Sequence, residues 1–174
     1  MLLQRLFGRA SRTADPRDAL RPLWHRIVQI ARDPVFYRDD KVADTVAGRF
    51  DMITVVLSIV LLRMERDRVL ARESALLTEL FVEDMDGQLR ESGVGDMVVG
   101  KRMGRLVSVL GGRLGALRDA LAEREGTALE QALARNVTLN DADGAASLAR
   151  RLRAFADKVA ALDSKALLAG DLAS

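Results

Sequence analysis

Apolar residues recur at intervals of three and four along most of this chain, and no stretch alternates with period two for long enough to make a strand. Leu20, Leu23, Trp24, Ile27, Val28 and Ala31 trace the first helical face, which begins after Pro16 and is restarted at Pro22. Asp33-Pro34 ends it, because the residue before a proline is pushed out of the α region. Val35-Phe36-Tyr37 then forms an aromatic plug in a connection reaching about Ala43. The next helix, about residues 44–66, is apolar through most of its middle, which predicts a central position. A third, about 72–91, sets Leu76, Leu77, Leu80, Phe81, Met85 and Leu89 on one side. A fourth begins near Met97 and repeats Met103, Leu106, Val107, Leu110, Leu114 and Leu117. Gly111-Gly112 sits inside that pattern at a cost of about 2 kcal/mol in helix propensity, and predicts a kink or a close approach by another backbone. A short helix at 127–134, a polar loop at 136–144, a long helix at 145–162 and a brief turn of helix before the tail complete the reading. The fold class is all-α, a single-domain bundle of six or seven helices over residues 16–174, preceded by a basic tail, 1–15.

The junction between the third and fourth helices concentrates charge. Glu83, Asp84 and Asp86 precede the turn Ser92-Gly93-Val94-Gly95-Asp96, and Lys101 follows it. Gly93 suits the left-handed residue that closes a helix, and Asp96 suits the N-cap of the next. A corner explains that glycine spacing but not the surplus of charged groups.

Composition narrows the chemistry. A chain of 174 residues suits one domain with a real core, and only 4% aromatic content means a core of Leu, Val, Ala and Ile. There is no cysteine, so disulfides and thiolate chemistry are excluded. His25 is the only histidine, too few ligands for zinc. Asp84 and Asp86 diverge by about 200° on a helix and cannot share a magnesium ion. Gly95 to Lys101 has the spacing of a phosphate loop, but Arg102 stands where a hydroxyl is needed and no strand precedes it. The loop Asn140 to Gly144 lacks the closing glutamate of a calcium site. No nucleophile has a base beside it, so the sequence predicts no enzyme, no cofactor and no metal.

The net charge is +2, with arginine most concentrated in residues 1–38. Elsewhere arginines alternate with carboxylates, as in Arg63, Glu65, Arg66, Asp67 and Arg68, which describes a solvated helix face and not specific DNA binding. Arg150-Arg151-Arg153 is the exception. The longest apolar run, Met52 to Leu62, rises about 16 Å as a helix, half a bilayer core, and reads as a buried helix. At the N-terminus Leu2, Leu3, Leu6 and Phe7 alternate with Arg5, Arg9 and Arg12. That segment is expected to contact an anionic membrane, the alternatives being a disordered tail or an organelle transit peptide.

Several elements taken in order resemble one family. They are Phe36-Tyr37, Arg49-Phe50-Asp51-Met52, Phe81-Val82-Glu83-Asp84-Met85-Asp86, Leu89-Arg90-Glu91-Ser92-Gly93-Val94-Gly95-Asp96 and Val99-Gly100-Lys101. Over about Leu23 to Arg113 the chain resembles the ubiquinol–cytochrome c chaperones, assembly factors for the respiratory cytochrome bc complex. The resemblance implies a helical, non-enzymatic chaperone that holds newly made cytochrome b as client. It further implies a small helical co-chaperone or the ribosome as partner, and a place in the cytoplasm peripheral to the inner membrane, or on the mitochondrial matrix side in a eukaryote. The expected client rim is Arg49, Asp51, Asp84, Asp86, Arg90, Asp96 and Lys101, with Gly93 and Gly95 shaping the corner. The competing expectation is internal pairing, Asp86 with Arg90 at i,i+4 and Asp51 or Arg49 across to the next helix, because a buried lone carboxylate is expensive. Other readings are a generic helical adaptor for a soluble partner, or a ribosome- or RNA-associated factor acting through the basic N-terminus.

Overall fold

A computed structural model describes residues 15–91 and 99–173. Eight α-helices follow one another: α1 (Arg21–Ala31), α2 (Pro34–Arg38), α3 (Val46–Glu65), α4 (Ala71–Glu91), α5 (Val99–Ala122), α6 (Ala128–Asn136), α7 (Gly144–Ala161) and α8 (Ser164–Ala169). Two of them, α2 and α8, are five and six residues long, so the bundle has six substantial helices, as the periodicity implied. The only strand-like pairing among the described residues is one antiparallel bridge, Val42 to Leu139.

Local chemistry sets the boundaries. Thr45 Oγ1 accepts from the Gly48 N–H at 3.1 Å and starts α3 two residues later than the hydrophobic pattern suggested. Asp33 accepts from the Val35 N–H at 3.0 Å, and Pro34 takes the first helical position. The aromatic plug is therefore a turn of helix and not an irregular connection. At the far end Asp163 caps α8, and Gly170, at φ 79°, stops it in the left-handed conformation.

Helix α3 lies at the centre and packs against α1, α4, α5 and α7. It is buried nearly all round, polar Asp51, Thr54 and Ser58 included. The two hydroxyls are satisfied within the helix: Thr54 donates to the Asp51 carbonyl at 2.8 Å, and Ser58 to the Thr54 carbonyl at 2.7 Å. Helix α6 fills the space between α5 and α7, and α8 lies on α1. Leu23, Ile27, Leu57, Leu77, Leu133, Leu148 and Leu152 are wholly enclosed, each contributing roughly 1.5–3 kcal/mol of apolar burial. Trp24 and Phe81 meet edge-on at 6.1 Å between centroids, joining α1 to α4.

Glycines play opposite parts in two helices. A Cβ on Gly48 would collide with the Ala43 carbonyl, so the chain entering α3 passes against the helix's own first turn. Gly111 and Gly112 face solvent, nothing lies within 4 Å of a Cβ built on either, and α5 runs through them without interruption. The close backbone approach expected at this pair is therefore absent. The basic tail with Leu2, Leu3, Arg5, Leu6, Phe7 and Arg9 lies outside the described residues. Among the described residues no helix is long and apolar enough to cross a membrane.

The contrast can be measured by urea unfolding. Gly48→Ala is expected to destabilise the fold by about 1–3 kcal/mol through overpacking. Gly111→Ala is expected to stabilise it by about 0.5–1 kcal/mol, because only backbone entropy changes. Equal effects at the two positions would contradict this account of the glycines.

Candidate functional site

The Arg-Phe-Asp-Met element at the head of α3 divides its residues between two tasks. Asp51 points inward. Its carboxylate pairs with Arg113 of α5, and it accepts from the Thr138 N–H at 2.9 Å and the Thr138 hydroxyl at 2.7 Å. Arg113 also donates to the Thr54 hydroxyl, and its guanidinium lies 5.5 Å from the centroid of Phe50. The Asp51 and Arg113 side chains are only 9% and 12% exposed. Asp51 thus leaves the expected client rim: burial beside an apolar helix demands internal partners, and it has three.

Arg49, two residues earlier, points outward. Its Nε donates to Asp44 at 2.7 Å, and both side chains are more than half exposed. The guanidinium holds the Asp44 carboxyl below the usual carboxylate range. Arg49 borders a cleft of about 550 Å³ with Arg32, Tyr37 and Arg38. Tyr37 anchors one wall, its hydroxyl donating to the Ala31 carbonyl at 2.8 Å, and burial pushes its phenol up.

Asp84 borders a second cleft, about 510 Å³, between α1 and α4. Trp24, Val28 and Leu80 give it apolar lining, and His25, Arg32 and Gln88 line it as well. Arg32 borders both clefts, so the cleft that Arg49 lines and the cleft that Asp84 lines are neighbours at the end of α1. Next to Asp84, Glu83 accepts from Arg17 at 3.0 Å. Arg17 also grips Asp15, whose carboxyl it draws down to about 2 through side-chain and backbone hydrogen bonds. Asp86 is half-buried on α4 and, two positions on, is directed away from Asp84. Arg49 and Asp84 therefore line neighbouring clefts that share Arg32, and Asp51 lines neither of them. The side chains of Arg90 and Lys101, and all of Gly93, Gly95 and Asp96, lie outside the described residues. No group of three or more histidine or carboxylate side chains able to hold a metal occurs among the described residues.

Two important residues escaped the sequence reading. Arg113 carried a signal: it falls with Leu106, Leu110 and Leu117 at steps of four, three and four, so a guanidinium occupies a core position on α5. Asp40 carried none. It is wholly buried in the connection before α3, and Arg151 of α7 donates to it at 2.6 Å. Lys41 follows at φ 59°, an uncommon backbone for a non-glycine residue.

Comparisons with known proteins show the family of the chain. A family described as ubiquinol-cytochrome C chaperone matches residues 38–173. The crystal structure of the Cbp3 homolog from Brucella abortus resembles this chain with a TM-score of 0.79 and 32% identity, over 90% of this chain and 88% of that one. A comparison with curated proteins gives no match. The family match runs well past Arg113, where the sequence motifs stopped, and takes in the Thr138 loop and α7.

Internal and outward charges predict different costs. Asp51→Ala is expected to destabilise the fold by about 3–5 kcal/mol, because Arg113 is left buried without its counter-charge. Adding Arg113→Leu should recover part of that loss, the remainder belonging to the Thr138 N–H. Arg49→Ala is expected to cost less than about 1 kcal/mol, the usual range for an exposed pair. A double-mutant cycle by urea unfolding reads the coupling, and additive losses at Asp51 and Arg113 would refute the internal tie.

Proposed function

Because the chain belongs to the ubiquinol-cytochrome C chaperone family, we propose that it supports assembly of the ubiquinol–cytochrome c reductase (bc) complex by holding newly made cytochrome b. The family match over residues 38–173 is the observation that carries this reading. The task is binding and release, and needs no bond-making group.

The surface along α1 supplies a suitable grip. A multi-spanning client offers apolar helices and polar connecting loops, so a holder needs apolar lining bordered by charge. Half-buried Val28 provides apolar surface over buried Trp24 and Leu80, with Arg32, Arg49 and Asp84 along the edge. We extend that edge through Asp86, Arg90, Gly93, Gly95, Asp96 and Lys101, the charged corner after α4. Rim charges of this kind steer encounter and fix register more than they add affinity, which suits a holder that must let go. The leucines and arginines of the N-terminus, Leu2, Leu3, Arg5, Leu6, Phe7 and Arg9, would keep the chaperone at the membrane where such a client emerges.

Affinity capture from solubilised membranes tests both levels. Cytochrome b should be recovered with the wild-type chain, and recovery should fall about tenfold, the equivalent of one lost charge-assisted contact, in Asp84→Lys or in Asp96→Ala combined with Arg90→Ala. Undiminished capture by all these variants would remove the surface assignment alone. Failure to capture cytochrome b at all, with a normal bc complex in a deletion strain, would remove the function.

A further inference from the structure

Helix α7 carries Arg150-Arg151-Arg153, a cluster that the client surface does not use. The helix forms a ridge between two clefts. One, of about 480 Å³, is bordered by Arg63, Arg66, Arg118, Arg124 and Arg153 over a floor that includes Leu62 and Leu121. The other, of about 600 Å³, is bordered by Arg150, Arg151 and Lys158. Eight cationic side chains thus surround one helix, in a chain whose whole excess is +2. The carboxylates lining the same clefts are Asp33, Glu65 and Asp157, with buried Asp40 behind Arg151.

Their hydrogen bonds sort these cations. Arg118 pairs with Glu65 at 2.7 Å, Arg124 with Asp157 at 2.6 Å and Arg151 with Asp40 at 2.6 Å. Arg63 donates to the Leu162 carbonyl, and Arg153 to the carbonyls of Ala120, Leu121 and Glu123. Those two close the ends of α7 and α5. A carbonyl accepts the hydrogen bond without cancelling the charge, and each helix end offsets only about half a unit. Arg66 and Arg150 are exposed, one in each cleft, with no ion pair to a described residue.

We propose that this face of α7 rests on an anionic phospholipid surface, with lipid phosphates entering the clefts beside Arg66 and Arg150. Charge complementarity selects the partner: basic side chains near an anionic bilayer are attracted over about a Debye length. The outward residues Arg150, Arg151, Ala154, Asp157, Lys158 and Ala161 include nothing bulky and apolar, so the contact is with headgroups and not by insertion. Nucleic acid fits less well, because sequence-tolerant binding of a strand uses exposed aromatic rings for stacking, and Phe36 and Phe155 in the second cleft are buried.

Flotation of the full chain with vesicles rich in phosphatidylglycerol, against vesicles of phosphatidylcholine alone, tests the proposal. No client protein is present, so the outcome is independent of the cytochrome b reading. Three variants separate the contributions: Arg66→Glu with Arg150→Glu, the milder Arg66→Gln with Arg150→Gln should the first lower the Tm, and Arg5, Arg9 and Arg12→Ala. The full chain should float only with phosphatidylglycerol, and added salt should release it. Partition should fall about tenfold or more in the ridge variants, and binding should persist in the tail variant. Undiminished partition of the ridge variants, complete loss in the tail variant, or tighter binding to a single-stranded RNA oligonucleotide than to vesicles would each overturn it.

Discussion

A carboxylate withdrawn from water must be met by positive charge and hydrogen-bond donors, and Asp51 imposes that demand at the head of the central helix. Arg113 meets it from α5, and Thr138 meets it from the loop between α6 and α7. The ring of Phe50 lies beneath the guanidinium and also packs near Phe81 of α4, at 6.3 Å between centroids. One polar cluster therefore fixes the relative positions of elements whose remaining contacts are apolar and indifferent to small sliding. Leucine-rich helices pack in several registers at similar energy, whereas a buried ion pair has one arrangement and a heavy cost for any other. A second pair, buried Asp40 with the partly exposed Arg151, ties the connection before α3 to α7.

The arginines of this chain serve three distinct purposes. Arg113 and Arg151 neutralise buried carboxylates. Arg63 and Arg153 hold the carbonyl ends of α7 and α5, where the backbone has no further N–H to offer. Arg32 and Arg49 remain at the surface along α1, and Arg66 and Arg150 beside α7. A count of basic residues cannot separate these roles, since the buried ones are decided by carboxylates and carbonyls that lie far away along the chain.

The helical architecture was legible because its signal is repetitive: each face of α1, α3, α4, α5 and α7 repeats its apolar positions several times. The short α2 was not, since five residues cannot show a period, and the Asp33 cap with Pro34 had to be recognised instead. Gly111-Gly112 misled because a glycine reports what the backbone tolerates, not what its surroundings require, and here the surroundings are water. At the site, Arg49 and Asp51 stood together in the expected rim, although the apolar run beside Asp51 already favoured internal pairing there. Two positions along a helix turned one toward solvent and the other into the core. Thr138 was invisible because its part depends on a loop returning to α3 from 87 residues away.

That long return has a consequence for how the molecule comes to exist. While the polypeptide is being made, α3 is complete long before the Thr138 loop has been added, and for that interval Asp51 lacks two of its donors. A version shortened after α5 would keep every family motif quoted from the sequence and still leave the middle helix holding an under-solvated anion. The cluster around Asp51 is therefore complete only when the last third of the chain is present.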